Sequence, residues 1–214
     1  MHRRFLSAAA AITASTALLL TGCSSDDSDN DASDKIKGAG SGAGTSASAG
    51  ASAEPNTAKR PEIKLPKSFQ VQFTAWTNSD PKLQAVLDDG KERLRASYAA
   101  INNKDPRDDA FTFYSESDAL RTGTEWIKGF TDKNLVLIGK GRVFQPQPRI
   151  SPDGSGTLFY CVDESHGSTK DTKTGKVTAT PADDALVLYR TKLRKTKEGV
   201  WKTTMVQTER GACK

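Results

Sequence analysis

The sequence predicts an α+β domain over residues 61–214, with helices first and an antiparallel sheet after them. Three observations predict it. Apolar residues recur at helical spacing between Pro81 and Asp105, and from Asn134 the pattern changes to short apolar runs separated by turns. Trp76, Trp126, Trp201 and most other aromatic residues fall in this same stretch, where they are expected as core anchors. A segment of that size buries about 70% of its unfolded surface, enough for one core.

The residues before it are of a different kind. Arg3 and Arg4 precede an uncharged run from Phe5 to Gly22, rich in Ala and Leu, which is the layout of a secretory signal. Ser7, Thr13, Ser15, Thr16 and Thr21 dilute that run, so it is a poor match to the ~20 apolar residues of a permanent span. It ends in Leu20-Thr21-Gly22-Cys23, an aliphatic residue, two small ones and a cysteine. That string resembles the lipobox of bacterial lipoproteins. The resemblance implies that 1–22 is a signal peptide and that Cys23 carries a diacylglyceryl group. Two acyl chains anchor stably where one does not. The expected location is therefore the outer face of the cytoplasmic membrane, with membrane contact through the lipid and the domain outside the cell. The alternatives are an uncleaved anchor and an ordinary cleavage site with an incidental cysteine.

Residues 23–60 read as a tether. Asp26, Asp27, Asp29, Asp31 and Asp34 precede a Gly/Ala/Ser tract, and Ile36 is the single large aliphatic residue, so no core can form. Such a linker spans roughly 35 Å as a flexible coil and at most ~120 Å when extended. The chain carries a net charge of +5. Without the leader arginines and the acidic linker, the domain is mildly basic, short of the footprint of a nucleic-acid binder. No nucleic acid is expected as a partner. With Cys23 in lipid, Cys161 and Cys213 form an even pair in an oxidising compartment and are expected to be bridged. Two unrelated buried thiols are the alternative. No Cys-x-x-Cys spacing suggests redox chemistry.

Within the domain, Phe69 to Trp76 alternates like an edge strand, or else a docking segment. Asp80-Pro81 predicts a helix start, with the acid as N-cap and proline at the first helical position. Leu83, Val86, Leu87, Leu94, Tyr98 and Ile101 form its apolar stripe, and Gly90 is either a weak point or a place of close packing. A short helical turn is expected near 108–114. A second helix is expected over 117–130, with Leu120, Trp126, Ile127 and Phe130 toward the core. Four strands follow, at 135–145, 156–165, 184–195 and 199–210. Pro152-Asp153-Gly154 turns the chain between the first two, and 168–177 is polar and loop-like. Val187, Tyr189, Thr191 and Leu193 share one face of the third strand, opposite Arg190, Lys192 and Arg194.

This order, closing on Gly199-Val200-Trp201-Lys202, resembles the nuclear transport factor 2-like cone fold. The strings Cys161-Val162-Asp163-x-Ser165, Thr174-Gly175-Lys176 and Val200-Trp201, with Cys213, are similar to exported lipoproteins of actinobacteria. The resemblance implies a curved sheet of about four strands wrapped around a long helix, with a pocket between them. Relatives include ketosteroid isomerases, polyketide cyclases and non-catalytic binding modules, so the fold alone assigns no activity.

The candidate residues are few. His166, the one histidine beyond the leader, adjoins Asp163, Glu164 and Ser165, too sparse a set for a zinc site. It is expected as a solvated loop residue. There is no Gly-x-Ser-x-Gly elbow. No metal, cofactor or catalytic residue is assigned. Asp163 shares a face with Thr157, Phe159 and Cys161 by alternation. It is a candidate either to enter the pocket as a general base or to bond the loop that follows. Tyr98 and Tyr189, with Tyr114, are candidate pocket donors. The basic stripe of Arg190, Lys192 and Arg194 is expected to protect an outward sheet face, contact with envelope polymers being the alternative. The function expected is a non-catalytic binding or scaffold module for a small ligand or an envelope protein. The alternative is an isomerase- or cyclase-like enzyme working in the cone pocket.

Overall fold

The structure, a computed structural model, describes residues 57–213. The lipobox, Cys23 and most of the tether lie outside the described residues. In chain order the elements are β1 (Phe69–Phe73), α1 (Pro81–Asn103), α2 (Asp109–Tyr114), α3 (Ser117–Thr131), β2 (Leu135–Ile150), β3 (Gly156–Asp163), β4 (Gly167–Asp171), β5 (Val177–Ala179), β6 (Leu186–Lys195) and β7 (Trp201–Arg210). No described helix is long and apolar enough to cross a membrane.

The long helix starts where its sequence says it should. The Asp80 side chain accepts from the Lys82 N–H at 2.8 Å and Pro81 takes the position whose missing N–H costs nothing. Every residue from Ala96 to Ile101 is buried, because the sheet covers one side of α1 while α2 and α3 cover another. Gly90 is a place of close packing: a Cβ there would run into the Leu158 side chain on β3. Helix α3 buries Ala119, Gly123 and Ile127 but leaves Trp126 at 39% exposure, so Trp126 is not the core anchor expected of it. Trp76 and Trp201 are buried.

The sheet has seven strands rather than about four, in the order β5-β4-β2-β3-β6-β7, with β1 added parallel to β2 as an edge strand. The extra length comes from 168–177. That polar stretch is a hairpin, not a loop, because β4 continues the line of β3 along β2: Asp163 lies opposite Arg142 and Gly167 opposite Gly139. The Asp171 carboxylate accepts from the Lys173 and Thr174 amides, and Gly175 supplies the left-handed turn (φ 76°). Bends give the sheet its curve. Strand β2 turns at Gly139 (φ 89°), where any side chain would strike the His166 carbonyl, and again at the bulge between Phe144 and Gln147. Three helices pack on a curved, mostly antiparallel sheet, the α+β arrangement that the sequence predicts.

Two links close the cone. The Cys161–Cys213 disulfide, spanning 52 residues with Cα atoms 6.0 Å apart, straps the chain after β7 back to the outer face of β3. In the chain-entropy model a loop of that length contributes about 4 kcal/mol. Asp89, 1% exposed on α1, accepts from Arg60 Nε (2.9 Å) and Nη2 (3.1 Å) and from the Trp201 backbone N–H (2.8 Å). Arg60, which reads in the sequence as the end of the tether, is thus built into the domain. Replacing Asp89 by Ala leaves the buried Trp201 N–H without its acceptor and breaks the pair. It is expected to cost about 3 kcal/mol in urea unfolding, and Asp89→Asn less. A loss below about 1 kcal/mol contradicts this role.

Candidate functional site

A half-open cavity of about 520 Å³ lies between the curved sheet, the C-terminal half of α1 and α3. Its apolar lining includes Phe69, Leu94, Trp126, Leu137, Val162 and Val187. The Trp126 ring meets Phe130 edge-to-face at 5.2 Å. The charged lining consists of Arg93, Lys140 and Arg210 against Glu164 and Asp184.

Tyr98 and Tyr189 both line the cavity. Tyr98 packs edge-to-face on Phe69 at 5.2 Å, and Tyr189 stacks flat on Tyr160 at 5.0 Å, while Tyr160 meets Trp76 at 5.6 Å. Burial pushes both lining hydroxyls well up from the ordinary phenol value, and Tyr160 to about 12. All three therefore stay protonated at physiological pH, as donors rather than bases. Tyr114, the last residue of α2, is buried among Ile101, Phe111 and Ile127, away from the cavity lining.

Asp163 does not enter the cavity. It lies on the outer face of β3 with Thr157, Phe159 and Cys161, where it accepts from the Ser165 N–H at 3.0 Å and from Arg142 at 3.2 Å. Partial burial alone would raise its pKa, but Ser165 and Arg142 outweigh that and hold it below the usual carboxylate range. Its chemistry is loop anchoring. His166 is exposed in the same bend, and its carbonyl accepts from the Lys140 N–H at 2.9 Å. The outward stripe of β6 is partly neutralised: Arg190 pairs with Glu209 at 2.7 Å and Arg194 grips Glu116 with two bonds of 2.7 Å, while Lys192 is exposed. Among the described residues, no cluster of three or more His, Cys, Asp or Glu is placed to hold a metal ion.

The inward acid is Glu164, one residue along. Burial raises its pKa, and Arg210, 3.2 Å away, opposes the shift. Arg210 also donates to the Asp184 carbonyl, so its guanidinium bridges the bend to the turn before β6. The second group that reading the sequence missed is Arg93. It lies 5% exposed on α1, with Nε 3.4 Å from Ser115 Oγ, its guanidinium 5.4 Å from the Phe111 ring centre and the Tyr160 hydroxyl beside it. Both had a signal. Glu164 continues the parity of Leu158, Tyr160 and Val162, and Arg93 falls on the stripe Val86, Gly90, Arg93, Ser97 at alternating steps of four and three.

No family model and no curated protein matches the chain. Among solved structures, a ketosteroid isomerase-like protein from Erwinia carotovora atroseptica aligns over 61% of this chain and 97% of its own, at 14% identity and TM-score 0.43. ActVI-ORFA from Streptomyces coelicolor aligns over 60% and 96% (11% identity, TM-score 0.42). The intermembrane space region of the chloroplast protein ARC6 aligns over the same shares at 11% identity and TM-score 0.42. These likenesses concern the path of the chain and leave its activity to the residues described above.

Removing the positive partner of Glu164 leaves burial unopposed. In Arg210→Gln, the Glu164 carboxyl is expected to titrate at higher pH than in the wild type, read from carboxyl carbon shifts in NMR. A raised acid binds its proton more tightly folded than unfolded. Its contribution to stability is therefore present at low pH and lost as pH rises through the folded value, more so in the variant. An unchanged titration would show that the pair does not form.

Proposed function

We propose that this chain is a cell-surface lipoprotein whose domain binds a small, largely apolar molecule in the cone cavity without transforming it. The observation that carries the reading is the cavity itself. At about 520 Å³ it falls in the range of small-molecule sites, and its mixture of apolar walls with a few inward polar groups is the usual composition of one. A domain acting only as a scaffold has no need of such an opening. The lipid on Cys23 would hold the domain outside the cell, where a tethered binder meets ligands before they reach the bilayer.

The isomerase- or cyclase-like alternative has one observation in its favour: Glu164, Tyr98 and Tyr189 line the same cavity. Against it, Glu164 is engaged by Arg210. A general base must instead be free to reach a substrate proton. The non-catalytic reading is therefore preferred.

The test has two arms, one for the cavity and one for the anchor. Nile red, a neutral apolar dye, is expected to bind the wild type saturably at one site and about tenfold more weakly to Trp126→Ala, which removes an aromatic wall. Cys23→Ala is expected to move the protein from the membrane fraction to the soluble one. Dye binding that does not saturate, or that ignores Trp126, overturns the cavity reading. A Cys23→Ala protein that still sediments with membranes overturns the anchor.

A further inference from the structure

We infer that the ligand of this cavity carries a carboxylate, and that Arg93 is the group that receives it. The inference rests on the small-molecule reading above and adds the chemical class. Arg93 is 95% removed from solvent and lines the cavity. Among the described residues no carboxylate pairs with it; its neighbours are the Ser115 hydroxyl at 3.4 Å, the Phe111 ring and the Tyr160 hydroxyl, all neutral. A guanidinium has five N–H donors in a rigid fork, and contacts to two neutral hydroxyls, Ser115 and Tyr160, leave it without a counter-charge.

Two of the carboxylates that could have served are committed elsewhere. Asp89 lies one helical turn before Arg93, the spacing at which acids and bases pair along a helix. Both of its oxygens are taken, by Arg60 and by the Trp201 N–H. Glu164, across the cavity, is held by Arg210. Burying a charge without a counter-charge is costly, and folded chains pair such groups or bring them a ligand. Here the cavity supplies the access. Three basic and two acidic side chains line it, so its charge balance also favours an anion. A planar carboxylate matches the guanidinium fork with two parallel bonds. The apolar walls then call for an apolar body on that carboxylate, which makes the ligand class an aryl or alkyl monocarboxylate.

Cinnamate and its neutral isostere cinnamamide separate the charge from the shape. Calorimetry on the wild type is expected to show cinnamate bound about tenfold or more tightly than cinnamamide, the usual worth of a hydrogen-bonded charge pair. Arg93→Met is expected to bring that ratio to near one, and Arg93→Lys, which keeps the charge but not the fork, to preserve part of it. Equal binding of acid and amide by the wild type overturns the inference, as does a preference that survives in Arg93→Met. If neither compound binds while Nile red does, the carboxylate class is wrong and the cavity reading stands. If Nile red fails too, the cavity reading falls and this inference with it. Should Arg93→Met not fold, the wild-type ratio and the Lys variant decide.

Discussion

Three donors converge on the Asp89 carboxylate: two nitrogens of Arg60 and the backbone N–H of Trp201. That one side chain ties the segment entering the domain, the middle of α1 and the start of β7 to a common point. The geometry follows from where α1 must run. A helix wrapped by a curved sheet on one side and by α2 and α3 on another has little solvent to offer its polar residues. Each one must find a partner inside the fold. Asp89 finds three.

Arg93, one turn further along, finds no carboxylate partner among the described residues, and the contrast gives the cavity its meaning. Were Asp89 free, an Asp–Arg pair along the helix would neutralise both, and the pocket would offer a neutral wall. Because Asp89 is spent on closing the fold, Arg93 is left as a cation facing the cavity. Tyr98 and Tyr189 stand by as protonated donors, and Glu164 is restrained by Arg210. This is an arrangement for holding a charged group in place.

Much of the fold was legible because its signals are local. Asp80-Pro81 marks the start of α1, Pro152-Asp153-Gly154 turns β2 into β3, and the alternation of Val187, Tyr189, Thr191 and Leu193 marks the inward face of β6. Seven strands were read as about four because β4 and β5 carry no apolar signature; backbone pairing along β2 holds them, and backbone is invisible to a hydropathy pattern. The site was less legible. Both faces of β3 read as apolar, since Phe159 and Cys161 oppose Leu158, Tyr160 and Val162, so alternation could not say which face looked inward. Leu158, Tyr160 and Val162 pack into the core, which puts Glu164 rather than Asp163 on the cavity side. Arg93 was hidden by an ordinary assumption, that a charge on a helix faces water.

The most direct measurement is where a bound carboxylate sits. A crystal structure of the protein with cinnamate at saturating concentration is expected to show both carboxylate oxygens hydrogen-bonded to the Arg93 guanidinium. The phenyl ring should lie among the apolar walls and Glu164 should remain paired with Arg210. Cinnamate found outside the cavity, or within it with its carboxylate turned away from Arg93, would contradict the central claim.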